Sequence, residues 1–159
     1  MIETERLVLR RPGPDDGPVF ALATEEWERE LRDSLEHWAA HGFGPWILEE
    51  RATGEPVGAF EVHYCGPGVE GIAADEVEVG WWLAEPARGR GYATEAGRAA
   101  IADAFERTAA RWVAAYIRLD NERSMRVADR LGLRHVHDGK ARSGDPVRIY
   151  RLERPCPGV

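Results

Sequence analysis

The segment 85–97, EPARGRGYATEAG, interleaves two arginines and two glycines where an apolar strand pattern ends and a helical pattern begins. Residues of these types at such a junction can hold an anion. A helix starting near Gly91 leaves its leading N–H groups without intrahelical partners, and its dipole adds positive potential there. Gly89 and Gly91 let the backbone approach a phosphate closely, while Arg88 and Arg90 can add charge-assisted hydrogen bonds, typically about 1.5 to 3 kcal/mol each. The segment is not a P-loop, because GxxxxGK[ST] is absent, and as a dinucleotide fingerprint it carries Thr94 where the third glycine belongs. Spacing alone leaves a solvated turn open as the other reading.

Metal and thiol chemistry find less support. His37 and His41 share a helical face, but HWAAH lacks the glutamate of HExxH and a convergent third ligand. Cys65 and Cys156 form no CxxC pair, so neither a metal site nor a redox motif is expected of them.

The elements that must position this loop can be read from periodicity. Leu7, Val8 and Leu9 form a short strand stopped by PGPDDGP, where Asp15 or Asp16 can cap the next helix. Over 19–40, Phe20, Ala23, Trp27, Leu31, Leu35 and Trp38 recur at helical spacing, giving one or two amphipathic helices that end near Gly42. Strands are expected over 46–49, 56–64 and 76–84, with a hairpin through ATGE and a loose loop, CGPGVEGIAAD, before the last. Ala93, Ala96, Ala100, Ala104 and Phe105 mark the packing face of a helix, and 112–117 reads as a strand. A helix over 122–131 closed by Gly132 and strands over 133–136 and 147–152 complete the series. This order is neither strict βα alternation nor all-β, so it predicts an α+β fold: a mixed, mainly antiparallel central sheet flanked by helices.

The 159 residues suit a single domain, 1–159, with a core of its own. A hydrophobic share of 43% with 31% charged residues is ordinary for a soluble globular chain. The net charge of −7 argues against nonspecific affinity for nucleic acid or an anionic membrane. Without an 18-residue apolar run or a signal-peptide core, the expected location is the cytoplasm.

The residues Arg88-Gly89-Arg90-Gly91-Tyr92-Ala93 match [QR]-x-x-G-x-[GA], the signature of the GNAT N-acetyltransferase superfamily. TERLVLRR, HWAAHGFGPWILEE, TGEPVGAF, EVEVGWWLAEPARGRGYATEA and DNERSMRVADRLGLRHV resemble its RimJ/RimL-like subgroup, so the resemblance covers most of the chain. It implies the GNAT acyl-CoA N-acyltransferase fold and direct transfer of an acetyl group from acetyl-CoA to a primary amine, with no metal. The pyrophosphate would be gripped at Arg88, Gly89, Arg90, Gly91, Tyr92, Ala93 and Thr94. The pantetheine arm would run along Trp82, Leu83 and Ala84 and meet Asn121. The strand carrying these residues is expected to splay from its neighbour at a bulge, for which Gly80 is the natural position.

The resemblance also implies catalytic roles. Glu78 occupies the place of a glutamate that takes the amine's proton, and Ser124, in the family's N-x-x-S, lies near the sulfur as the proton donor; Tyr116 is the competitor for that second role. A backbone N–H near Val79 or Gly80 would meet the oxyanion. Each has a plainer reading: Glu78 as a strand glutamate on a wet face, Asn121 as an N-cap, Ser124 as a first-turn residue. Strand alternation puts Trp81 in the core and leaves Trp82 as core or pocket wall. Relatives in this subgroup carry a longer segment between the first two helices, which ALATEEWERELRDSLEHW compresses, so a more open acceptor cleft is expected. The acceptor is a small-molecule amine or a protein N-terminal amine, and the assembly a monomer or homodimer. Two other readings remain at this point: a non-catalytic acyl-CoA-binding module and a nucleotide-dependent oxidoreductase.

Overall fold

The computed structural model describes residues 1–156. Its strands are β1 (Ile2–Glu3), β2 (Leu7–Arg10), β3 (Trp46–Glu50), β4 (Pro56–Tyr64), β5 (Val77–Leu83), β6 (Trp112–Arg118), β7 (Arg134–Lys140) and β8 (Pro146–Glu153). They form one eight-stranded sheet in the order β1-β2-β3-β4-β5-β6-β8-β7. Only β5 and β6 pair in parallel. The mixed, mainly antiparallel α+β architecture is therefore the one the element order predicts, with β1 as an addition at one edge and β7 longer than expected.

The helical region before β3 divides in two: a single turn, α1 (Gly17–Phe20), and α2 (Trp27–His41). Asp16 sits at the start of α1 but does not cap it. Its carboxylate instead takes both terminal nitrogens of Arg10 at 2.7 Å and the N–H of Gly13 at 2.6 Å, which ties the turn to β2. Arg10 holds that carboxyl below its ordinary range.

Val19, Phe20 and Leu31 pack on Ile47 and Ala59, so α1 and α2 cover one face of the sheet. Two further helices, α3 (Tyr92–Arg107) and α4 (Glu122–Leu131), lie on the other face, over Leu7, Leu9, Leu48, Phe60, Val62 and Val79. The small residues of α3 allow this approach: a Cβ on Gly97 would stand 2.8 Å from both Phe60 and Leu131. No helix among the described residues is long and apolar enough to cross a membrane.

The segment before β5 is better fixed than its glycines suggest. Cys65, Val69 and Ile72 are buried against Ala114, Val147 and Ile149, and Glu76 accepts hydrogen bonds from Trp112 at 2.6 Å and from Arg151 at 2.9 Å.

Candidate functional site

β5 and β6 pair only at Val77–Val113 and Glu78–Ala114 and then separate. The splay is thus present, but no bulge accompanies it at Gly80: β4 and β5 keep one unbroken register from Gly58–Leu83 to Tyr64–Val77. The strands diverge because their parallel pairing stops. A cleft opens there in two halves of about 870 and 850 Å³, with Trp81, Trp82, Asn121 and Ser124 in both linings.

The 850 Å³ half is bounded by the end of β5, the start of α3 and one face of α4. Gly91 begins α3 at φ +80°, and Gly89 has φ +74°, conformations that cost an L-residue with a side chain energy. None of the six backbone N–H groups of residues 89–94 has a protein acceptor among the described residues; the first helical hydrogen bond runs from Glu95 to Gly91. The Thr94 hydroxyl is also buried without a partner. Those donors face a wall carrying Arg88, Arg123, Arg126 and Arg130, an arrangement that suits a polyanion.

The loop is braced from behind. The Arg6 guanidinium lies 4.7 Å and that of Arg90 4.6 Å from the Tyr92 ring centroid, and Arg6 donates to the Arg90 carbonyl at 2.7 Å. Arg90 pairs with Glu50 at 2.8 Å, and Glu50 also accepts the Tyr92 hydroxyl. Arg90 is therefore turned to the brace and is absent from the lining. Ala84 is absent as well, its N–H donating to Val57 at 2.9 Å, whereas Leu83 and Trp82 line the half and Arg88 donates to the Leu83 carbonyl at 3.0 Å.

The 870 Å³ half lies between α1, α2 and the floor formed by β4, β5 and β6. Glu78 is in that floor, only 8% exposed, with Oε2 making no hydrogen bond and Arg142 as far as 3.9 Å away. A wet strand face does not describe it. Burial, followed by the Glu78 charge, pushes the Cys65 thiol up to about 12 and raises Tyr116, both of which neighbour the carboxylate. Asn121 caps α4 by accepting the Ser124 N–H at 3.1 Å, which leaves its side-chain N–H groups without an acceptor among the described residues, and Ser124 is half-buried between the two halves. Tyr116 lines only the 870 Å³ half.

Trp81 is half-buried, stacked 5.7 Å from Phe60, and its indole N–H has no partner among the described residues. Trp82 is both pocket wall and packing partner for the α1–α2 face. The HWAAH histidine His37 has both ring nitrogens occupied, by the Phe43 carbonyl at 2.8 Å and the Tyr64 N–H at 3.0 Å.

The family described as Acetyltransferase (GNAT) domain matches residues 6–134. The chain belongs to the GNAT acetyltransferase family. A curated relative, the uncharacterized protein YkkB of Bacillus subtilis, is 32% identical over 128 residues, 80% of this chain and 69% of that protein. An acetyltransferase from Agrobacterium tumefaciens superposes with a TM-score of 0.81 at 27% identity, covering 96% of this chain and 94% of that one. The aminoglycoside acetyltransferase AAC(6')-Ib, solved with coenzyme A and kanamycin, shares the GNAT fold at 17% identity, with a TM-score of 0.72 and coverage of 93% and 95%.

This GNAT cleft also holds residues that the sequence motifs do not single out. Arg123, Arg126 and Arg130 were legible, since their spacing puts them on one face of a predicted helix. Glu61 alternates with Phe60 and Val62 and so had to face away from the core. Arg142 had no local signal; it reaches Pro67 and Cys65 from the turn between β7 and β8.

Proposed function

We propose that this GNAT chain is an acetyl-CoA-dependent N-acetyltransferase acting directly on a primary amine. The observation that carries the proposal is one cleft joining six unpartnered amides to a buried carboxylate whose Oε2 makes no hydrogen bond among the described residues. The donors of the 850 Å³ half fit coenzyme A: amides 89–94 and Arg88 for the pyrophosphate, the α4 arginines for further phosphate charge, Trp82, Leu83 and Asn121 for the arm. Acetyl-CoA, when bound, supplies a thioester whose C–S bond breaks as the amine nitrogen forms the C–N bond, the sulfur leaving with one proton.

The chain's own residues manage the protons. An α-amine with a pKa of about 7.8 costs about 1 kcal/mol to deprotonate at pH 7, and an alkylamine near 10.4 more than about 4. Glu78 is the group we assign to take that proton and pass it to solvent. Ser124 is assigned to the sulfur because it borders both halves, where Tyr116 borders one. An N–H of Val79 or Gly80, on the edge of β5 that β6 has left, is assigned to the charge developing on the carbonyl oxygen, a role that can contribute about 3 to 4 kcal/mol. The RimJ/RimL-like relationship belongs to the same proposal, and so do both candidate acceptor classes.

Titration calorimetry with acetyl-CoA tests the cofactor half. Binding is expected, and Arg126→Ser combined with Arg130→Ser is expected to weaken it about tenfold or more, since each charge-assisted bond contributes about 1.5 to 3 kcal/mol. No binding, or an unchanged affinity in the double variant, removes this assignment. Thiol release with a panel of amines then separates a transferase from a binding module that retains the site without turnover.

A further inference from the structure

The 870 Å³ half contains a carboxylate that the transfer chemistry does not use. Glu61, on β4, stands opposite Gly80, where no side chain covers it; a Cβ at Gly80 would lie 3.7 Å from that of Glu61. It is half-buried and lines the cleft, and no cation of the protein lies within ion-pair distance of it among the described residues. Burial raises its carboxyl, opposed by His63 and by the Trp82 indole N–H and reinforced by Glu30 and Glu78. Its basic neighbour is the His63 imidazole, and no arginine or lysine pairs with it among the described residues.

The arginines of the same wall are engaged elsewhere. Arg29 pairs with Glu26 and, at 3.2 Å, with Glu30. Arg118 faces Asp120 at 3.4 Å and Asp145 at 3.7 Å. Arg142 gives its guanidinium to the carbonyls of Cys65 and Pro67. Glu61 and the unpartnered Oε2 of Glu78 thus share one face of the floor. Because Glu61 pairs with Gly80 and Glu78 with His63, the two are diagonal neighbours, a relation that separates side chains by about 7 to 8 Å. The Trp82 ring, opposite Ala59, stands on the same face beside Glu61 and offers a surface that also attracts cations.

We propose that the acceptor is a small molecule with at least two protonated amines, one reacting beside Glu78 while the other pairs with Glu61. This rests on the acetyltransferase reading and narrows it from any primary amine to a diamine, polyamine or amino sugar, in preference to a peptide N-terminus. A monoamine leaves Glu61 without its counter-charge, and so does an α-amine followed by a neutral peptide chain.

The test compares 1,5-diaminopentane, pentylamine and the tripeptide Ala-Gly-Gly, by thiol release at saturating acetyl-CoA and by calorimetric binding to protein loaded with coenzyme A. The diamine is expected to exceed both others at least tenfold in kcat/KM and in affinity. Glu61→Gln, with its fold checked by melting temperature, is expected to bring the diamine-to-pentylamine ratio close to one. Gly80→Lys, which sets an internal ammonium against Glu61, is expected to do the same. Equal values for diamine and pentylamine in the unaltered protein, a preference for the tripeptide, or a ratio that survives both substitutions overturns the proposal. Selective diamine binding without thiol release supports it while sinking the transferase reading.

Discussion

At the scale of single residues, Glu78 shows how environment decides chemistry. A glutamate on an exposed strand face is simply solvated; this one is buried, with Oε2 making no hydrogen bond among the described residues and Arg142 no nearer than 3.9 Å, a costly state unless a ligand completes it. Glu78→Gln keeps the shape and removes the proposed base, so acetyl-CoA affinity is expected to hold while the rate with an alkylamine falls by about 10² or more. An unaltered rate–pH profile in that variant would strip Glu78 of the role. The family resemblance singled out Glu78 in the sequence, but its burial was not legible, because the covering groups come from Cys65 and Arg142, far away in the chain.

Among the elements, the helix–strand junctions matter most. The join between α2 and β4 runs through His37, whose Nε2 accepts the Tyr64 N–H while Nδ1 donates to the Phe43 carbonyl, an arrangement open only to the neutral ring. Burial lowers its pKa, and nearby His41 and His63 act in the same direction. A folded-state pKa below the unfolded one means that His37 contributes stability above its ordinary value of about 6.5, and that this is lost as pH falls through the lowered pKa. The melting temperature is therefore expected to drop between pH 7 and pH 5, and to drop less in His37→Gln; equal slopes would show that the bridge is unimportant. Periodicity found α2, α3 and α4 and most strands because each buries one regular face. It could not divide α1 from α2, since Trp27, which begins α2, is also an apolar position in the helical series. Nor could it foresee that Arg90 braces the loop, because the brace needs Arg6 and Glu50 from distant parts of the chain.

For the molecule as a whole, the sheet carries helices on both faces, and the bonds of Glu76 to Arg151 and of Arg142 to the Cys65 and Pro67 carbonyls tie its two halves together. Residues 1–159 are expected to unfold as one domain, with tryptophan fluorescence and far-ultraviolet circular dichroism giving coincident transitions in urea. Six tryptophans distributed over α2, β3, β5 and β6 make fluorescence a probe of both halves, and separated transitions would count against a single domain. The fold class was legible because element order alone excludes a doubly wound parallel sheet. The cleft's depth and its acidic floor were not, since they depend on where the β5–β6 pairing stops.

That stopping point has a mechanical side. Only two residue pairs stitch β5 to β6, so the sheet is two stiff plates meeting along a short seam. A long, narrow molecule lodged in the gap would act as a strut where a strand is missing. Such a molecule would brace the far wall of the cleft against movement.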